Sequence, residues 1–222
     1  DAFAAKLAEA VKALKVGEKE LGRARMRVLE KGGLTDRFLA ARSLVGQAPA
    51  SRLVDPILDY IEGQFQGLAS SDYKTRDASR NNVEIGETAL QRLVKDTRDR
   101  SLLKALRVAA VDFRQRNDIP LKAMALFDPR PEGWAKLLVE QLASPDPKVL
   151  GEVLFLMGRT ASSAGDVATW APEAARFEKH PDPSIRRAVV YALGEARGLA
   201  SDQIDVAVRA LGEADKSLRE NA

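Results

Sequence analysis

The sequence predicts an all-α protein, a right-handed α-solenoid built from pairs of helices. Three observations carry this prediction: a phrase that recurs at a fixed distance, apolar residues at helical spacing along the chain, and almost no strand-like alternation. The phrase is SPDPKVLGEVLFLMG from Ser144, and it returns as HPDPSIRRAVVYALG from His180. Repeats with periods of 20–50 residues are typical of solenoids, in which each unit buries its apolar face only against its neighbours.

The repeat extends beyond these two phrases. Residues 134–169 align with residues 170–205, with identities at helix starts, helix ends and core positions. The identical pairs include Trp134/Trp170, Ala135/Ala171, Pro145/Pro181, Asp146/Asp182, Pro147/Pro183, Val153/Val189, Gly158/Gly194 and Asp166/Asp202.

Each repeat unit predicts two helices joined by a proline turn. The proline after Asp146 or Asp182 suits the first helical position, because its missing N–H would have no partner there. The aspartate before it suits the N-cap position. The second helix then runs to about Gly158 in one unit and Gly194 in the next, with Ile185, Ala188, Val189, Ala192 and Leu193 as its buried stripe in the later unit.

The phrase from His180 closely resembles the second half of a HEAT repeat of the short bacterial, PBS-lyase-type kind. Pro181, Asp182, Pro183, Ile185, Arg186, Ala188, Leu193 and Gly194 carry the resemblance, which is clear over about residues 134–196. It implies a structural role for Asp182 and Arg186, which in the family often join neighbouring repeats by hydrogen bonds. The earlier copy departs from the pattern, since Leu150 stands where the arginine is expected.

Helical spacing outside the clear repeats extends the solenoid to one domain over residues 1–222, with eleven or twelve helices. Candidate helices lie at Phe3–Leu14, Leu21–Val28, Leu34–Gly46, Thr97–Ala110 and Ile204–Leu218. Residues 1–133 predict an irregular half and residues 134–222 the regular repeats. The polar stretch 69–82 predicts a mobile loop, and Phe127–Gly133 a turn that resets the helix direction.

Composition removes several classes of site. The chain has no cysteine and a single histidine, His180, which we interpret as a turn residue. We find no metal-ligand set, phosphate-binding loop or catalytic constellation, and we expect no cofactor and no enzymatic activity. No apolar run approaches a membrane span. The chain begins at Asp1 without a methionine, so we expect a processed product, and the compartment is unknown.

The charge is modest and uneven. The net charge is +3, and residues 1–50 carry ten Lys/Arg against six Asp/Glu. Arg100, Lys104, Arg107 and Arg114 follow one helical face, but the stripe does not continue into the repeats, where Leu154 and Val190 align with Arg107. Phosphate binding would need that continuity, so an acidic protein segment is favoured over nucleic acid.

The helix VLGEVLFLMG is apolar nearly all round, which is typical of a helix that is fully buried or that offers an apolar face to a partner. The resemblance implies that second helices line a concave side. We expect a partner-binding strip there, with an equally weighted alternative in which Phe155 and Tyr191 only wedge adjacent repeats together. Its predicted residues are Leu150, Leu154, Phe155, Val190 and Tyr191, with Lys104, Arg107 and Arg187 at the margin.

These features predict a non-enzymatic adaptor or scaffold that binds a protein or peptide in a groove. Two alternatives stay open: a nucleic-acid-binding HEAT-like protein with DNA-glycosylase-like activity, or one arm of a larger scaffold. Neither the partner nor the oligomeric state follows from the sequence.

Overall fold

A computed structural model of the chain describes residues 18–112, 116, 118–161, 163–196 and 199–211. Two compact units are distinguished, Asp1–Ala109 and Ala110–Ala222. The described residues form α-helices and one 3-10 turn, with no strand among them. The predicted all-α class is therefore confirmed.

The first unit is built around a short central helix. Its helices are α1 (Glu18–Lys31), α2 (Leu34–Ser43), α3 (Val54–Gly63), α4 (Phe65–Leu68), α5 (Tyr73–Thr97) and the start of α6 (Leu102–Asp112), with a 3-10 turn at Ala50–Arg52. Helix α3 packs against both α2 and α5, and α1 packs on α2. Phe38 of α2 stacks on Tyr60 of α3 with ring centroids 4.0 Å apart. Burial raises the pKa of the Tyr60 hydroxyl, although the charge of Arg42 opposes this rise.

The predicted loop at residues 69–82 is wrong, because α5 begins at Tyr73 and runs for 25 residues. The Asp72 carboxylate caps this helix by accepting a hydrogen bond of 2.8 Å from the Thr75 amide. No glycine or proline interrupts residues 73–85, and Ser79 and Val83 turn inward while their polar neighbours face water. Polarity marked this stretch as a loop, whereas it is one exposed side of a long helix.

The second unit consists of two helical layers. Its helices are α7 (Asp118–Met124), α8 (Trp134–Gln141), α9 (Pro147–Thr160), α10 (Ala164–Ala175), α11 (Pro183–Glu195) and α12 (Ser201–Leu211). Helices α8, α10 and α12 contact one another in sequence and form one layer, while α7, α9 and α11 form the other. This is the stacking of helical pairs that the repeat predicts.

The proline turns behave as predicted. Asp146 and Asp182 are the N-caps of α9 and α11, and each accepts a hydrogen bond of 2.8 Å, from the amides of Lys148 and Ser184 respectively. Pro147 and Pro183 are the first residues of these helices. The two second helices therefore start 36 residues apart, although α8 has eight residues and α10 has twelve.

Some of the other predicted buried helix faces are confirmed, and others are not. Leu102, Leu106 and Ala109 are buried in α6, as expected. In contrast, Val28 of α1 and Ile204 of α12 are 40% and 48% exposed, so these helices bury a different face. The predictions at Phe3–Leu14, Arg114, Ala214 and Leu218 lie outside the described residues.

Candidate partner-binding surfaces

Three residues of the predicted apolar strip are not on the surface. Leu150, Leu154 and Val190 are 4%, 0% and 4% exposed, so they cannot contact a partner directly. Helix α9 contacts α7, α8 and α11, and these neighbours take up most of its apolar circumference. The apolar character of VLGEVLFLMG therefore reflects burial on several sides more than an open face.

Phe155 and Tyr191 are the accessible part of the strip. Phe155 of α9 is 38% exposed and Tyr191 of α11 is half-buried. Their rings lie 5.0 Å apart at 56°, a tilted contact between the two helices. We call these two residues the aromatic pair. Since the rings contact each other and Phe155 also reaches solvent, the pair joins adjacent repeats and presents an aromatic surface at once.

A glycine brings the helices of the aromatic pair close together. A methyl group added at Gly158 of α9 would lie 2.9 Å from Ala192 Cα and 3.2 Å from Tyr191 Cε1. The first distance is to backbone, which cannot move aside as a flexible side chain would. Gly158 therefore sets the approach of α11 and holds Tyr191 beside α9.

Two arginines flank the aromatic pair. Arg159 follows Phe155 by one helical turn and is exposed, and Arg187 precedes Tyr191 by one turn and is half-buried. Glu195 is exposed one turn after Tyr191, and Glu152, 36% exposed, precedes Phe155 by three residues. The surface around the rings thus carries an arginine at each end, with two carboxylates beside them.

A charge cluster joins α7 to α9 within the same layer. The Asp118 carboxylate is fully buried and accepts hydrogen bonds from Arg116 Nε at 3.0 Å and Nη2 at 3.3 Å. Lys122 Nζ lies 3.1 Å from Asp118 and 3.6 Å from Glu152 of α9. Burial acts to raise the pKa of Asp118, but the hydrogen bonds and charges of Arg116 and Lys122 outweigh it and hold the pKa below its ordinary value.

Two of the three basic residues predicted at the margin of the strip belong to the first unit. Lys104 and Arg107 are exposed on α6, next to the exposed apolar side chains of Val108 and Val111. Arg100 is exposed in the turn before α6 and is not part of the helix. The other six residues of the predicted strip and its margin lie in the second unit.

The turn residues act within their own repeat. Arg186 Nη1 donates to the carbonyl oxygens of His180 and Pro181 at 2.9 and 3.1 Å, and His180 Nδ1 accepts from the Asp182 amide at 3.1 Å. Hydrogen bonds from Ser184 hold the pKa of Asp182 below its ordinary value. Thus Asp182 and Arg186 brace one HPDP turn, and the hydrogen bonds of Arg186 go to that turn instead of to a neighbouring repeat.

The two tryptophans are core residues. Trp134 and Trp170 are 4% and 1% exposed. Trp134 Nε1 donates to Thr160 Oγ1 at 2.8 Å, and that hydroxyl donates to the Leu156 carbonyl at 2.6 Å. This chain of hydrogen bonds ties the start of α8 to the end of α9.

An open groove in the first unit escaped the sequence analysis. It has a volume of about 880 Å³ and lies between α2 and α5. Because the polarity of residues 69–82 predicts a loop, the sequence alone does not indicate the long face of α5. An i, i+4 apolar pair at Ile85 and Ala89 was the signal available in the sequence. The lining consists of Leu39, Arg42, Ser43, Val45, Asn81, Glu84, Ile85, Thr88, Ala89, Arg92 and Asp96.

Two classes of feature are absent from the described part of the chain. No described helix is long and apolar enough to cross a bilayer. Across the same residues, no group of three or more His, Cys, Asp or Glu side chains is arranged to hold a metal ion.

Comparison with known proteins identifies the repeats. Residues 135–222 match the sequence pattern of the HEAT-repeat family. A crystal structure of an engineered protein aligns with a TM-score of 0.41 and 17% identity over 90% of this chain and 92% of that one, too distant to inform fold or function. No curated protein sequence matches the chain.

Proposed function

Since residues 135–222 match the HEAT-repeat family, we propose that the protein is a non-enzymatic adaptor that binds an acidic segment of a protein partner through the aromatic pair. HEAT repeats generally mediate protein–protein interactions and are typically non-catalytic. The proposed contact face is lined by α9 and α11, which as second helices would form the concave face of a HEAT stack. The exposure of Phe155 beside Tyr191 is the observation that carries this proposal.

Aromatic rings suit this role because they supply a large contact area with little loss of conformational freedom. Residues that dominate binding energy in interfaces are enriched in Trp, Tyr and Arg. Here the aromatic pair is already held in place by its own ring contact and by the close approach at Gly158. A partner side chain would therefore meet a preformed surface and would order few groups on binding.

The flanking arginines favour an acidic partner. Arg159 and Arg187 lie one turn beyond each ring, where they would orient carboxylates of a bound segment. Lys122 is less available, since it already bridges Asp118 and Glu152. Because only a few cations surround the rings, we expect affinity to depend weakly on salt, whereas a phosphate track would give a steep dependence.

The test is a selection of short displayed peptides against the whole chain, followed by fluorescence anisotropy with the recovered peptides. We expect acidic peptides with an apolar or aromatic anchor, and Phe155→Ala or Tyr191→Ala should weaken their binding by about 30-fold or more. Ile204→Ala is the matched control, because Ile204 is similarly exposed on α12, in the other layer. Equal affinity of the recovered peptides for wild-type and both aromatic variants would refute the proposal, and a steep salt dependence with nucleic acid would favour the alternative.

Stability measurements separate binding from folding. Each aromatic truncation removes a ring contact worth about 0.5–1.5 kcal/mol beyond the loss of buried area, so both variants should remain folded. Leu154→Ala is the contrasting variant: this neighbour of Phe155 is fully buried, and its truncation should cost about 2–5 kcal/mol.

A further inference from the structure

We propose that the groove between α2 and α5 in the first unit is a second docking site, which binds an amphipathic helix of a protein partner. The expected helix carries a row of aliphatic side chains and an acidic residue at the end that meets Arg42 and Arg92. This site is independent of the aromatic pair and of the HEAT repeats, which lie in the other unit.

The walls of the groove run in the same direction. Phe38 of α2 stacks on Tyr60, and Gly86 of α5 faces the same tyrosine, since a methyl group added there would lie 3.5 Å from Tyr60 Cδ1. Phe38 and Gly86 therefore lie at the same height along the axis of α3. At the far end of α3, Asn82 bonds to Gln64 at 3.1 Å, and a methyl group at Gly63 would meet Leu34. Thus α2 starts at the C-terminal end of α3, α5 passes that end at Asn82, and the two helices run parallel.

This register places apolar residues at the middle of the groove. Counting from the level of Phe38 and Gly86, Leu39 is level with residue 87 of α5, between Ile85 and Ala89, and all three line the groove. The α5 wall from Asn81 to Asp96 is about 22 Å long, or four helical turns. Its length and its apolar middle match the row of side chains at positions i, i+4, i+7 and i+11 that one face of an amphipathic helix presents.

The two ends of the groove differ in charge. Glu84 lies at the end of the groove where α2 starts. Arg42 is level with about residue 90 of α5, close to Arg92, at the other end. The Arg42 guanidinium lies over the Phe38 ring, 5.7 Å from its centroid. Arg92 pairs with Asp96 at 3.4 Å, but these side chains are 77% and 50% exposed, so the pair is weak and can rearrange around an incoming carboxylate.

The openness of the groove favours a helix over a small molecule. Pockets for small ligands bury most of the ligand surface between converging walls. Here Ile85 is 44% exposed and the charged rim stands in water, so the groove covers one side of its occupant and leaves the other in solvent. An amphipathic helix requires this arrangement, because its polar face stays hydrated.

The test uses the full chain and a displayed library of helical peptides with variable aliphatic and charged positions. We expect recovered peptides to share an aliphatic row with an acidic end. Ile85→Glu should weaken their binding by about tenfold or more. Ile204→Glu is the matched control, because it makes the same change at a similarly exposed isoleucine of the other unit. It should leave the dissociation constant within about twofold, as expected for a residue outside the interface.

Two further variants make the result specific. Arg92→Glu should weaken binding of the acidic peptides. Replacing the acidic residue of the peptide with lysine should restore binding to that variant. Phe155→Ala should have no effect on these peptides, so failure here and failure at the aromatic pair can be told apart. The proposal is overturned if no helical peptide is recovered, if Ile85→Glu binds as tightly as wild-type, or if only a small apolar compound occupies the groove.

Discussion

Replacing Gly158 by alanine tests the packing of the repeats most directly. Gly158 and Gly151 are both inside α9, so Gly→Ala changes helix propensity alike at the two positions. Their surroundings differ. At Gly158 the new methyl group would meet Ala192 Cα at 2.9 Å, whereas at Gly151 its nearest neighbour is Ile185 Cδ1 at an ordinary 3.5 Å.

The expected magnitudes follow from these distances. Alanine is favoured over glycine in a helix interior by about 0.5–1 kcal/mol, so Gly151→Ala should stabilise by about that amount. Forcing an extra methyl group into a packed contact costs about 1–3 kcal/mol. The effect of Gly158→Ala should therefore lie between neutral and a destabilisation of about 2 kcal/mol. The gain in helix propensity is common to both variants, so their stabilities should differ by the cost of the steric contact, about 1–3 kcal/mol.

Tryptophan fluorescence is the suitable assay, because both tryptophans of the chain, Trp134 and Trp170, lie in the second unit. Guanidinium unfolding followed by this signal reports on the repeats and not on the first unit. For a chain of this size, a difference of 1 kcal/mol corresponds to about 2–4 °C in melting temperature.

The reasoning would be refuted if Gly158→Ala stabilised the second unit as much as Gly151→Ala. The backbone of α11 would then not be fixed at the distance described, and Tyr191 would not be held against α9. The aromatic pair would lose the preformed geometry on which the proposed binding surface depends.

Two other perturbations give separate checks. Asp118→Asn should destabilise the second unit by about 3–5 kcal/mol at neutral pH, because Arg116 and Lys122 lose a buried counter-charge. Since the pKa of Asp118 is lower in the folded chain than its ordinary 3.8, its contribution is fully present above that pH and is lost as the pH falls through the folded value. The stability difference between wild-type and Asp118→Asn should therefore shrink on acidification in tryptophan-monitored unfolding, and a constant difference would argue against the ion cluster. Ala78→Pro should lower the free energy of unfolding by about 3 kcal/mol or more, because Ala78 is inside α5. Unfolding followed by far-UV circular dichroism measures this change. Ala78→Gly should cost only about 1 kcal/mol, and equal stability of the proline variant would mean that residues 69–82 form a loop after all.

The sequence by itself determined the helical class and the positions of the repeat turns. An aspartate followed by proline specifies a helix start through local chemistry, namely a capping carboxylate and a residue without an N–H, and α9 and α11 begin where these signals place them. The identities between residues 134–169 and 170–205 placed the helical repeats within the region that matches the HEAT-repeat family. These signals are readable because each acts over a few residues.

The tertiary structure decided which apolar residues remain accessible. Leu150, Leu154 and Phe155 belong to one apolar run, but only Phe155 reaches solvent, because burial depends on how many neighbouring helices surround α9. The polar run before Val83 looked like a loop, since periodicity alone cannot separate a hydrated helix face from an irregular segment. Likewise, the groove between α2 and α5 exists because Tyr60 of α3 packs against both Phe38 of α2 and Gly86 of α5. These contacts join residues more than twenty positions apart, which no local pattern records.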